Sequence, residues 1–230
     1  MKEVLCVIPA RGNSKGIKRK NLKNLCGKPL IYYAINTALK SKNISRVIVS
    51  SEDDEIASIS KQYGADVPFL RPNNLSEDNV HSVFPVIDCL EKLKKEESYN
   101  PDAVVMFLPT APLTTSKDLD NAINLFFSMV TNVISVCDFD KPIASIREII
   151  DGHLVPIIKK KNYNIQRQDF KYYIVNAAIY VSSPKTLIKN KTFHTKNVLP
   201  LNMKKENSLD INDLIDFEIC EYILKQKTKR

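Results

Sequence analysis

Arg11, Lys15, Lys18, Arg19, Lys20, Lys23 and Lys28 crowd one segment, IPARGNSKGIKRKNLKNLCGKPL (residues 8–30), together with Gly12 and Gly16. Cations this close repel one another, and a bound polyanion offsets the repulsion. A backbone loosened by glycine turns its N–H groups toward phosphate oxygens, and the cationic side chains reach the same oxygens. One cation about 4 Å from a phosphate charge gains roughly 4 kcal/mol at an intermediate effective dielectric, before desolvation, so two or three contacts hold a triphosphate. The competing expectation is a solvated surface loop. The segment lacks both G-x-G-x-x-G and G-x-x-x-x-G-K-[ST], so it is neither a dinucleotide fingerprint nor a P-loop.

The elements around it give it position. Residues 4–8 are a continuous apolar run rich in β-branched side chains, the pattern of a strand buried on both faces. After Pro29, suited to a first helical turn, Leu30, Ile31, Ala34, Ile35, Ala38 and Leu39 recur at helical spacing. RVIVS (residues 46–50) reads as a second strand, after which Asp53 or Asp54 caps a helix that runs through Gln62 and ends at Gly64. The alternation continues with a helix over 83–95, a strand over 102–108, a helix from 116 to about 129, and strands over 132–138 and 176–183. The spacing predicts an α/β fold, a parallel sheet with helices on both faces and ligands outside the carboxyl ends of the strands. A last helix is expected to bury Leu214, Ile215, Ile219, Ile223 and Leu224. Residues 141–173 break the alternation with short strand-like pieces and are read as a protruding insert, a dimer arm.

A length of 230 residues with 43% hydrophobic residues and five glycines fits one globular domain spanning 1–230 and argues against disorder. The net charge of +8 permits nucleic acid, an acidic membrane or phosphorylated substrates as partners. Part of that excess lies in Lys159 to Lys161, Lys204, Lys205 and the carboxyl-terminal tail, read as solvated faces. Cys6, Cys26, Cys89, Cys137 and Cys220 are odd in number and form no C-x-x-C pair, so they are expected to be reduced, in a cytoplasmic protein. The first apolar run is too short for a signal peptide and no later one approaches bilayer length. His81, His153 and His194 match no metal-ligand spacing.

The segment IPARGNSKGIKRKN resembles the amino-terminal signature of the acylneuraminate cytidylyltransferases, which make CMP-sialic acids and related CMP-activated sugars. Further blocks stand in that family's order: VIVSSEDDEIASISKQYGADVPFLRPNNLSED, FLPTAPLTT, QRQ followed by NAAIYV, and SLDINDLIDFE. The resemblance spans nearly the whole chain. It implies a Rossmann-like domain, mostly parallel, with a protruding dimerisation insert over 141–173 and a homodimer. It implies that Arg11, Gly12, Ser14, Lys15, Lys20 and Asn21 surround the phosphates of CTP, with Arg71 and Ser82 near cytosine and ribose. Alternatives stand beside both: Arg71 precedes Pro72 and suits the bracing of a turn, and Ser82 stands where a helix cap is expected. Asp210 matches the first acid of the family's D-x-D motif for Mg²⁺. Its second position is Asn212 here, next to Asp213, and either of these also suits the cap of the last helix.

Other departures bear on the acceptor. Leu108 stands where the family commonly has glutamine, Thr114 where it has arginine, and Ala177 where glycine is usual. Ile174 and Val175 replace an arginine-proline pair of sialic acid enzymes, while Arg167 and Gln168 keep an Arg-Gln pair that, with Asn176, would meet an acidic sugar. The resemblance therefore implies Mg²⁺-dependent transfer of CMP from CTP to the anomeric hydroxyl of a nonulosonic acid, with Arg11, Lys20 and Asp210 as the catalytic groups. The rival readings are a 3-deoxy-manno-octulosonate cytidylyltransferase, a non-catalytic relative and a basic nucleic-acid-binding module. The last lacks aromatics interleaved with its lysines and any zinc-finger, basic-zipper or RNA-recognition signature.

Overall fold

VLCVIP in β1 (Val4–Pro9) carries no charged side chain, and a strand of this kind is stable only when covered on both faces. A computed structural model of the chain describes residues 2–141, 145–157 and 171–228. In it, β1 pairs in parallel with β4 (Arg46–Ser50) on one side and β5 (Ala103–Phe107) on the other. Between β1 and β4 lie the short antiparallel ribbon β2 (Asn24–Leu25) and β3 (Lys28–Pro29) and helix α1 (Leu30–Leu39). The sheet has the order β10-β6-β9-β5-β1-β4, with β6 (Asn132–Phe139), β9 (Tyr172–Ser182) and β10 (Val198–Asn202) completing it.

Alternate side chains along each strand enter opposite cores, as period-two geometry requires. Val4, Cys6, Ile8, Val49, Val105 and Phe107 meet α1, α2 (Asp54–Gln62) and α4 (Ser116–Met129) on one face. Leu5, Val7, Ile48, Val104 and Met106 meet α3 (Val83–Glu97) and α5 (Pro184–Asn190) on the other. A third cluster, including Ile17, Leu25, Leu30, Ile211, Phe217 and Cys220, packs the cationic loop against α6 (Leu214–Thr228). The side chain of Asp53 caps α2 by accepting from the N–H of Ile56, and Gly64 follows the helix at φ +92°.

One strand runs against the rest: β9 is antiparallel to both β5 and β6. The chain leaves β6 at its carboxyl end and returns as its antiparallel neighbour, a pairing that needs no crossover to the opposite end of the sheet. The expected insert holds a hairpin of β7 (Arg147–Ile150) and β8 (His153–Pro156), joined by Asp151 and Gly152 at φ 50° and 78°. Its Ile149 and Leu154 are exposed.

The expected apolar face of α6 is corrected. Phe217 and Cys220 are buried, Ile223 and Leu224 pack against the third cluster, and Leu214, Ile215 and Ile219 stay exposed. Apolar residues occur on more than one side of this helix, so periodicity alone does not select the face that packs. The expected sequence also omitted α5 and β10; β10 is a sheet edge, where Pro200 is tolerated.

The pairing of β6 with β9 shifts register between Ile134 and Val136, opposite residues 175–180. Ala177 lies in this irregularity at φ 53°. An L-residue in the left-handed region carries about 1–2 kcal/mol of strain, which explains why glycine suits the position. Ala177→Gly is expected to stabilise the protein by about 1 kcal/mol, part of the relief being lost to the freer unfolded chain. The check is the urea midpoint, which should rise with an unchanged slope.

Candidate active site

The strands beside β1 are added in turn: from β1 the chain builds β4 on one side and later β5 on the other. The carboxyl ends of β1 and β5 therefore flank a crevice, where ligands bind in open α/β sheets. A cavity of about 380 Å³ lies there, lined by Arg11, Ser14, Lys15, Lys20 and Asn21 from the loop after β1, and by Leu108 to Thr110 after β5. Residues 71–82 form the opposite wall, with Arg71, Leu75, Asp78, Val80 and Ser82 facing the cavity, and Asn212 closes it near α6.

The cations are sorted by this arrangement. Arg11 Nη1 lies 2.7 Å from Asp78 Oδ1, and Lys15 Nζ lies 3.0 Å from Asp78 Oδ2. Lys15, with Arg11 behind it, holds the Asp78 carboxyl below its usual range. Arg19 turns away to Asp53 and Glu55, while Lys23 stands over the Phe217 ring and Lys28 over Tyr32. Arg11, Lys15 and Lys20 are thus the cations of this loop that line the cavity.

Lys20 Nζ donates to the carbonyl of Ile211 at 2.8 Å. Burial pushes the Lys20 ammonium down from its ordinary pKa, Asp210 opposes that shift and Arg11 adds to it. Asn21, only 5% exposed, donates from Nδ2 to the Arg11 carbonyl at 2.9 Å, and its buried Oδ1 has no protein partner. The segment carrying Asp210 is tied to the sheet through Ile211 N–H to the Thr110 carbonyl at 2.8 Å. A side chain at Gly16 would put a Cβ 2.3 Å from the Asn212 carbonyl oxygen, so glycine is what lets the cationic loop approach this segment.

Arg71 is buried and held by a network absent from the sequence expectation. Its Nη2 donates to Glu52 Oε2 at 2.7 Å, its Nε to Ser76 Oγ at 2.9 Å, and its backbone N–H to the Ser51 carbonyl at 2.8 Å. Burial alone would raise the Glu52 carboxyl, yet hydrogen bonds from Gly12, Ser76 and Arg71 keep it below its ordinary value. Glu52 lies two residues past the end of β4, at the carboxyl edge where sites form, and that position was the available signal.

Other expected residues fall in several places. Ser82 lines the cavity and precedes α3, but its side chain makes no capping hydrogen bond. Gly12 does not line the cavity; its N–H donates to Glu52 Oε1 at 2.7 Å. Asp210 lies beside the lining, where its Oδ2 accepts from Asn212 Nδ2 at 3.2 Å. The last helix is capped by Asp213, whose Oδ1 accepts from Asp216 N–H at 3.0 Å. Asn176 is buried, bonded to Ser135 and Ser208, and is not among the residues that line this cavity. Arg167 and Gln168 lie outside the described residues.

Among the described residues, no three His, Cys, Asp or Glu side chains gather as a metal cage, and no helix is long and apolar enough to cross a membrane. The five cysteines are free. Because Asp78 occupies the cations an anion would use, Asp78→Asn is expected to tighten binding of inorganic tripolyphosphate by roughly twofold to fivefold, the scale of exposed ion pairs. Isothermal titration at fixed salt measures it.

Comparison with known proteins bears on the fold and the family. A cytidylyltransferase family profile matches residues 5–218. The chain is 32% identical over 224 residues to the CMP-N,N'-diacetyllegionaminic acid synthase of Legionella pneumophila, with 96% of each chain covered. It is 33% identical over 227 residues to a pseudaminic acid cytidylyltransferase of Campylobacter jejuni, again covering 96% of each. The solved structure of a CMP:2-keto-3-deoxy-manno-octonic acid synthetase complexed with CTP shares the fold, with a TM-score of 0.74, 13% identity, and coverage of 98% of this chain and 100% of that one. A cationic loop at the crevice of a mostly parallel sheet, matched to the family over nearly its full length, places the chain in the cytidylyltransferase family.

Proposed function

We propose that this protein transfers CMP from CTP to the anomeric hydroxyl of an acidic nonulosonic sugar, a sialic, legionaminic or related acid, and releases pyrophosphate. The observation that carries the reading is the gathering of Arg11, Ser14, Lys15, Lys20 and Asn21 on one wall of the cavity, opposite Arg71 and Ser82. One wall suits a triphosphate and the other a nucleoside. The names of relatives similar over 96% of their length support the acceptor class.

In this reading the sugar hydroxyl attacks the α-phosphorus in line, a new P–O bond forms, and the bond to the pyrophosphate leaving group breaks. Transfer of this kind asks the protein chiefly for positioning and charge stabilisation. Arg11 and Lys20 offset charge on the phosphates, and the anion strengthens the hold of Lys20 on its proton against the effect of burial. Arg71, fixed by Glu52, and Ser82, whose hydroxyl is not used as a cap, face the nucleoside. Arg167 and Gln168 are proposed to meet the sugar carboxylate.

Asp210 and Asn212 would hold Mg²⁺. One carboxylate and one amide oxygen suit an ion that keeps several waters and takes its remaining ligands from substrate phosphates, and the two side chains stand within hydrogen-bond distance of each other beside the cavity. When bound, the ion supplies a template and a Lewis acid. The exposed apolar hairpin β7–β8 suits a homodimer contact, and the free cysteines accord with a cytoplasmic enzyme.

Pyrophosphate release in Mg²⁺, with CTP, UTP, ATP and GTP each offered against neuraminic, legionaminic, pseudaminic and octulosonic acids, tests the reading. Release that needs CTP together with a nine-carbon acid supports it; silence across the panel from folded protein refutes it. Arg11→Ala is expected to lower turnover about 10²–10³-fold while the protein stays folded, as for loss of a single electrostatic stabiliser. Asp210→Asn is expected to raise the magnesium concentration needed for half-maximal rate, and an unchanged titration would remove Asp210 from the metal site.

A further inference from the structure

We propose that Glu52 is a positioning residue that couples the phosphate wall of the cavity to the nucleoside wall. The inference rests on the reading of the cavity as a CTP site and concerns a side chain that does not line it.

The geometry is that of one carboxylate shared between two loops. Glu52 Oε1 accepts from the Gly12 N–H at 2.7 Å, on the loop that carries Arg11. Glu52 Oε2 accepts from Arg71 Nη2 at 2.7 Å and from Ser76 Oγ at 2.8 Å, on the loop that carries Asp78 and Ser82. Arg71 Nε donates to the same Ser76 hydroxyl, so Arg71, Ser76 and Glu52 close a triangle. The Arg71 side chain is 3% exposed and that of Glu52 is 14% exposed, so these bonds are largely shielded from water. Gly12 is pressed close: a Cβ there would meet Asp53 Oδ2 at 2.5 Å, which keeps the phosphate loop against the end of β4.

Three donors from two loops therefore need both oxygens of a single ionised group. A glutamine offers one acceptor oxygen and one NH₂, and whichever wall meets the NH₂ faces donor against donor. A ligand confined to the wall that meets the remaining oxygen would still find that wall intact. A ligand that spans both gains only when the walls are held in register, because binding the second part is then intramolecular. CTP spans both; cytidine and tripolyphosphate each occupy one.

The test compares wild-type, Glu52→Gln and Glu52→Asp proteins, titrated with CTP, inorganic tripolyphosphate and cytidine by calorimetry or NMR, with thermal melts to establish folding. Glu52→Gln is expected to weaken CTP about tenfold to a hundredfold, the scale of a lost hydrogen bond to a charged group. Of tripolyphosphate and cytidine, the one whose wall still meets the glutamine oxygen should change by less than about threefold, and the other by less than CTP does. Glu52→Asp keeps the charge with a shorter reach and should show the same pattern more weakly; it carries the measurement if the glutamine variant does not fold. Equal losses for all three ligands would mean Glu52 only supports the local fold, and unaltered CTP binding would mean the walls hold their register without it; either overturns the proposal. Wild-type protein that binds no CTP removes the functional reading and the coupling with it, whereas wild-type binding with an unaffected variant removes the coupling alone.

Discussion

Repulsion among cations at one end of a sheet is the constraint around which this molecule is arranged. Arg11, Lys15, Arg19 and Lys20 arise within a short stretch after β1, and each is answered in its own way. Asp78 takes the first two, Asp53 and Glu55 take the third, and the Ile211 carbonyl with the nearby Asp210 charge takes the fourth. The answering groups come from the start of α2, from the loop before α3 and from the segment before α6. Neutralising the loop therefore pulls these parts of the chain to one place, and a crevice results. Ile17, buried with Ile211 and Phe217, adds an apolar anchor that keeps the loop from lifting into solvent.

The sheet supplies the rigidity this arrangement needs. Side chains of β1 and β5 are buried on both faces, so the loops at their ends start from fixed points. The reversed strand β9 takes another share of the work. Its irregular stretch around Ala177 turns Asn176 inward to Ser135 and Ser208, joining β6, β9 and the approach to Asp210. Asn176 thus ties the strands together beneath the site.

The alternation of strand and helix was legible because its signals are local: an apolar run bounded by a glycine-rich loop, a capping aspartate before α2, a glycine after it. The cationic loop was legible as an anion site because charge density along the chain survives folding. What could not be read was which cation faces which anion, since Glu52 and Asp78 meet the loop only through tertiary contacts. The buried side of α6 was misread for a similar reason: with apolar residues on more than one side, the packing partner chooses. The direction of β9 depended on how the chain returns from residues 141–171, and no single residue marks it. Asp151-Gly152 was a readable turn that the strand-like pieces on either side obscured.

The two margins of the sheet decide how readily another strand could extend it. Beyond β4 the backbone of residues 65–67 lies alongside, with Asp66 exchanging hydrogen bonds with Val47 and Val49. At the far margin β10 contains Pro200, which has no N–H to offer a newcomer. Growth of the sheet from molecule to molecule is thereby discouraged at both sides. These two margins therefore give a neighbouring strand little to extend, and open-ended fibres built through this sheet are disfavoured.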